Sequence, residues 1–247
     1  MAEYDFPVTV GRDFAGVVEA VGADVSSYAV GDELFGYVPH VNPTVHDGSW
    51  AELIVVPQDD RGAPKPRSVD MAAAGAAPLA AITALAAYDA FSPKAGDRVL
   101  VVGATGGVGS FFVQLASAAG AHVIAPALPE DEDYLRGLGV IEVIPRDARP
   151  EDVDAILDVV SQAPDTSALK EGGRLASPLG AAGDGTGRFN LMTVSTAANV
   201  RRVAELLDSG ALRVPIQLSY GLEQAGEALE AFAESHRQGK LGVTIAP

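Results

Sequence analysis

Apolar and polar positions change rhythm after the first quarter of the chain. From Pro7 to about Val56 the apolar residues come in short runs broken by glycine, "GVVEAVG", "DELFGYV" and "WAELIVV". Such runs predict short β-strands. The stretch "PQDDRGAPKPRSVD", with its three prolines, reads as a loop and a boundary. From about Met71 onward apolar runs alternate with helical patterns. "RVLVVG", "AHVIAPA", "EVIPRD", "AILDVV" and "RLASPLG" predict strands. Between them "VGSFFVQLASAAG", "EDEDYLRGLG" and "DTSALKEGG" predict helices, with glycine as a stop signal. "NVRRVAELLDSG" is a further helix, followed by "VPIQLSYGL", "LEQAGEALEAFAES" and "GVTIA". Strand–helix alternation at this spacing predicts a parallel sheet covered by helices on both faces.

The alanine-rich run "MAAAGAAPLAAITALAAYDAF" is the most apolar stretch, but Gly75 and Pro78 interrupt it. It predicts a buried helix rather than a membrane span. A chain of 247 residues is long enough for a substantial core. Its net charge of −16 disfavours non-specific binding to nucleic acid or anionic lipid. The absence of cysteine removes disulfides, thiol nucleophiles and thiolate metal ligands. "MAEYDFPVTV" lacks a basic segment followed by an apolar one, so no signal peptide is expected and the expected setting is the cytoplasm.

The chemistry concentrates in "RVLVVGATGGVGSFFVQLASAAGAHVIAPA", Arg98 to Ala127. A dinucleotide-binding turn must bend sharply, let backbone amides touch a diphosphate, and pack helix tightly on strand. Each task favours a residue without Cβ. Gly103 ends the strand, Gly106 and Gly107 stand where a diphosphate would meet the helix N-terminus, and Gly109 faces the sheet one turn on. A strand precedes the glycines and a helix follows, which is the context this pattern requires. The expected fold class is therefore α/β, with a Rossmann-type doubly wound parallel sheet. A short-chain reductase would need a Tyr with a Lys four residues on, and no tyrosine here has one.

Other segments extend the comparison. "GRDFAGVVEAVG", "GDELFGY", "DGSWAEL", "PLAAITAL", "GATGGVGSFFVQLA", "ALKEGGRLASPLG", "GALRVPI" and "QGKLGVTI" occur in this order. Together they resemble the medium-chain dehydrogenase/reductase superfamily, specifically its zinc-independent quinone oxidoreductase branch. The resemblance implies a GroES-like barrel domain at 1–70, partial here and completed by 211–247, and a Rossmann coenzyme domain at 71–210. Relatives carry strands before the segment at which this chain begins, so an incomplete barrel with weak or absent turnover is expected. Zinc-dependent relatives have a ligand His and a neighbouring Glu where this chain has Arg12 and Asp13, so no zinc site is expected. His40 and His46 with Asp47 are a conceivable metal cluster, against the usual reading of loop histidines as solvated or structural.

The resemblance also implies roles. Thr83 approaches the nicotinamide, the alternative being a packing role within its helix. Thr105, Gly106, Gly107 and Val108 hold the pyrophosphate after Gly103, and Leu179 and Gly180 lie beside the nicotinamide ribose. Tyr37 is the residue best placed for a substrate role, the alternative being an aromatic on the barrel surface. An NAD-preferring protein usually ends the second strand with an acid that binds the ribose 2′-hydroxyl. Ala127 stands there, which favours NADPH over NADH, although the acids of "PEDED" oppose a 2′-phosphate. Arg146, otherwise a solvated surface charge, could bind that phosphate. The expected activity is reduction of a small-molecule quinone or α,β-unsaturated carbonyl by a zinc-free homodimer. Enoyl reductase activity and catalytically silent nucleotide binding are the alternatives.

Overall fold

A computed structural model describes residues 6–38, 47–192, 196–233 and 237–245. The first sheet is antiparallel, with β1 (Asp13–Val17) and β3 (Gly62–Pro64) on either side of β2 (Glu33–Tyr37). Two helices follow, α1 (Met71–Ala76) and α2 (Pro78–Phe91). The alanine-rich run thus divides at Ala77, and Pro78 occupies the first turn of α2, where its missing N–H is harmless. Most of α2 is buried around its whole circumference, the pattern of an interior helix.

The large sheet is built from β4 (Arg98–Val102), α3 (Gly107–Ala118), β5 (His122–Ala127), α4 (Glu132–Leu138), β6 (Glu142–Pro145), β7 (Val153–Asp158), β8 (Leu169–Ser177) and β9 (Arg188–Asn190). All six strands run parallel in the order β6-β5-β4-β7-β8-β9. The order reverses between β4 and β7, which opens a crevice at their carboxyl ends. Phe91 of α2, Phe112 of α3 and Phe189 of β9 meet edge to face, with ring centroids 5.8 and 6.4 Å apart, in the core that joins helices to sheet. The chain then forms α5 (Ala197–Asp208), β10 (Ile216–Gly221), α6 (Ala225–Ala233) and β11 (Lys240–Thr244), with β10 and β11 pairing in parallel. No helix among the described residues is long and apolar enough to cross a membrane.

Several expectations fail locally: β3 lies inside the stretch read as a loop, and of "GVVEAVG" only Gly16 and Val17 belong to a strand. Residues 165–173 form no helix: a turn leads directly into β8. Asp165 accepts a hydrogen bond from the Ser167 amide and pairs with Arg149 at 2.7 Å, while Gly172 adopts φ +76°. These local bonds and the left-handed glycine replace helical ones. Likewise "WAELIVV" is not assigned to any strand; Leu53 is 68 % and Val55 96 % exposed. Apolar alternation needs a partner strand to become a ladder, and none among the described residues pairs with it.

Candidate functional site at the glycine-rich turn

The turn after β4 is held by backbone geometry. Gly103 has φ +88°, and a Cβ on it would come within 2.6 Å of Val159 and Val160. The Gly106 amide donates to the Gly103 carbonyl at 3.2 Å, closing the turn, and Gly106 is the N-cap of α3. A Cβ on Gly109 would overlap the Gly103 carbonyl oxygen and sit 2.7 Å from the Cα of Ala104. Only glycine permits this approach of helix to strand.

Gly106 differs from its neighbours. A Cβ there meets nothing nearer than the Gly103 carbonyl at 3.6 Å, and no side chain caps α3. An uncapped helix start with open space before it, at the carboxyl ends of parallel strands, suits a phosphate group. A dinucleotide diphosphate therefore fits the residues present.

Sequence reasoning missed a charged side chain that lies against this turn. Lys240, the first residue of β11, lies with its aliphatic stem across Gly107, whose Cβ would fall 2.7 Å from the lysine Cδ. Its ammonium stands 3.3 Å from the Asp13 carboxylate. The segment before it is bound to the same turn, for the Gly239 amide donates to the Thr105 carbonyl at 2.6 Å. The other Asp13 oxygen accepts from the Leu79 amide at 2.7 Å. Burial raises the Asp13 carboxyl above its ordinary value, against the opposing pull of Lys240, the Leu79 amide and Arg12.

The remaining predicted positions have the following local settings. Thr83 is buried on α2 and its hydroxyl donates to the Leu79 carbonyl at 2.7 Å. Leu179 and Gly180 follow β8; the Leu179 amide donates to the Ser177 hydroxyl at 3.2 Å, and Gly180 has φ +73°. Ala127 pairs in register with Pro145, so exposed Arg146 follows one residue beyond it. Of the acids after β5, Asp131 is buried and accepts from the Gln238 side-chain amide at 2.9 Å, while Glu130, Glu132 and Asp133 are exposed. Tyr37 is fully buried, with the Arg12 guanidinium 5.9 Å from its ring centroid, so it is neither an aromatic on the barrel surface nor open to a substrate. It ends the central strand β2, whose residues from Leu34 on are all buried.

A second feature becomes visible only in the sheet. Val160, Leu179 and Met192 each lie two residues beyond the end of β7, β8 and β9, and they are 61, 42 and 83 % exposed. The carboxyl edge of three successive strands thus carries a row of exposed apolar side chains.

A metal site is a different matter. Among the described residues there is no group of three or more His, Cys, Asp or Glu able to hold a metal; His40 and His46 lie outside the described residues. At Arg12 and Asp13 a guanidinium stands where a ligand would be needed, and the carboxylate is already bonded to Leu79 and Lys240. This donor set does not fit zinc.

Residues 1–67 match the family described as the alcohol dehydrogenase GroES-like domain, and residues 138–242 that described as zinc-binding dehydrogenase. The mouse mitochondrial NAD(P)H oxidoreductase RTN4IP1 is 31 % identical over 98 % of this chain and 71 % of its own. A Mycobacterium tuberculosis mycocerosic acid synthase-like polyketide synthase is 34 % identical over 94 % of this chain and 12 % of its own. Among solved structures, the quinone oxidoreductase of Coxiella burnetii superposes with a TM-score of 0.82 at 25 % identity, covering 98 % of this chain and 81 % of that one. The glycine turn, the reversal of strand order and these likenesses agree: the chain belongs to the medium-chain dehydrogenase/reductase superfamily of oxidoreductases, and is quinone oxidoreductase-like.

Proposed function

We propose that the chain is an NADPH-dependent reductase of quinones or α,β-unsaturated carbonyls that works without zinc. The observation that carries this reading is the uncapped start of α3 at Gly106, open in front and flanked by Lys240. Gly106, Gly107 and Val108 would offer amides to the diphosphate, and Lys240 a cation beside it. Ala127 and Arg146 would hold the adenosine half, and α2, Leu179 and Gly180 the nicotinamide half. The chemistry that NADPH would supply when bound is a hydride, two electrons with one proton, for the electrophilic carbon of the substrate.

The chain's own residues then have three tasks. Thr83 and the Leu179–Gly180 turn fix the nicotinamide end, so that reacting atoms are held close. The apolar row of Val160, Leu179 and Met192 supports a largely apolar substrate and keeps water from the reacting face. Without a metal, developing oxyanion charge is met by amide or hydroxyl donors, and the resulting enolate or hydroquinone anion takes its proton from water. Ala127 leaves the 2′-position free of a repelling carboxylate, and Arg146 can pair with the 2′-phosphate.

The test is titration of the chain with NADPH by nicotinamide fluorescence, alongside steady-state turnover on a panel of quinones and enones. Saturable binding with turnover supports the reading. Binding without turnover on any panel member would make this a nucleotide-binding protein rather than a reductase, and no binding would remove the site assignment. Elemental analysis of dialysed protein should find no stoichiometric zinc.

A further inference from the structure

α2 lacks a cap from its own N-cap residue, Ala77. Its Leu79 amide is instead bound by Asp13 Oδ1, from a strand 66 residues away. One residue, Leu79, thereby joins two bonds, since its amide donates to Asp13 and its carbonyl accepts from the Thr83 hydroxyl at 2.7 Å. The other oxygen of the same carboxylate holds Lys240, whose stem crosses Gly107. Both partners are largely buried, with side chains 13 and 19 % exposed. A single carboxylate thus connects the helix bearing Thr83 to the cation beside the glycine turn.

This arrangement has an electrostatic cost for an anion site. A diphosphate next to Lys240 also feels the negative charge of Asp13 at close range, where screening is weak. If Lys240 served affinity alone, a neutral neighbour would serve better. We propose that Asp13 is a positioning residue: it fixes the Thr83-bearing start of α2 and Lys240 in one geometry while weakening the grip on the diphosphate. The proposal rests on the reading of the glycine turn as the NADPH site.

The test compares the full chain with Asp13→Asn, Lys240→Met and the double variant. Asn removes the charge that restrains Lys240 and replaces the charge-assisted bond to the Leu79 amide with a weaker neutral one; Asp13→Ser carries the same test if Asn impairs folding. Binding of NADPH and of 2′-phospho-ADP-ribose, the same dinucleotide without nicotinamide, is measured for each. Asp13→Asn should bind 2′-phospho-ADP-ribose about three- to tenfold more tightly, and Lys240→Met about tenfold more weakly, tenfold being the lower end for one charge-assisted contact. The double variant should bind it more tightly than Lys240→Met, because the direct repulsion from Asp13 is removed as well. The extra affinity contributed by nicotinamide, read as the ratio of the two dissociation constants, should fall several-fold in Asp13→Asn, together with kcat. Weaker binding of 2′-phospho-ADP-ribose by Asp13→Asn, or an unchanged ratio, would overturn the positioning role. Failure of the wild-type chain to bind either molecule would instead remove the NADPH reading itself.

Discussion

Gly109 lies so close beneath Gly103 that a Cβ on the first would overlap the carbonyl oxygen of the second. The contact sets the height of α3 above β4 and therefore the position of the whole glycine turn. Gly109→Ala should force the helix start away, with a loss of about 1–3 kcal/mol typical of overpacking. Thermal unfolding of that variant, with and without NADPH, checks both the stability and the displaced site.

Gly106 should behave in the opposite way. A side chain there meets open space rather than protein, its nearest neighbour being 3.6 Å from the Cβ position. Gly106→Val should fold with near wild-type stability yet lose NADPH affinity by at least about tenfold, one missing phosphate contact being worth that much. Unchanged affinity in the folded variant would mean that the diphosphate lies elsewhere.

Cofactor preference should follow the second strand. With Ala127 in place of an acid, NADPH should bind about ten- to a hundredfold more tightly than NADH, the range for a charge-assisted phosphate contact. Arg146→Ala should lower that ratio and leave NADH affinity alone. Equal dissociation constants in the wild-type chain would remove the preference, whereas an unchanged ratio in Arg146→Ala would remove only the arginine.

Asp13 makes a pH prediction with a definite sign. Burial raises its folded-state value above 3.8, so the folded chain keeps this proton longer than the unfolded chain. The resulting stabilisation is present at acid pH and is lost as pH rises from 3.8 through the raised value. Asp154 runs the other way: burial alone would raise it, but Lys170 and the Arg98 amide hold it lower overall, and that stability is lost as pH falls. The difference in Tm between Asp13→Asn and wild type isolates the first effect. It should shift in favour of the variant as pH rises above 3.8, and a flat difference would contradict the assignment.

The exposed apolar pair Leu53 and Val55 should promote association at raised concentration. Leu53→Ser with Val55→Thr should lower the apparent mass in light scattering without moving NADPH affinity. Identical scattering would place any association surface elsewhere.

What was legible in the sequence was local. Strand, glycines and helix between Arg98 and Ala118 follow one another within the chain, so steric requirements of single residues reveal them. The Asp13–Lys240 pair could not be read this way, because 227 positions separate its members and each alone resembles an ordinary surface charge. The apolar row was hidden for a related reason: Val160, Leu179 and Met192 become neighbours only when three parallel strands align. The helix expected at 165–173 failed where apolar spacing was correct but Asp165 and Gly172 offered the backbone other bonds.

The meeting of Asp13 with Lys240 and of Thr105 with Gly239 also orders events during synthesis. All six strands of the large sheet are complete once Asn190 has left the ribosome, so that sheet can form while translation continues. The glycine turn remains unclasped until residues 239 and 240 emerge and return across nearly the whole chain. During this interval the turn is shaped but Lys240 is missing. Newly made chains should therefore acquire full coenzyme affinity only after the sheet has folded.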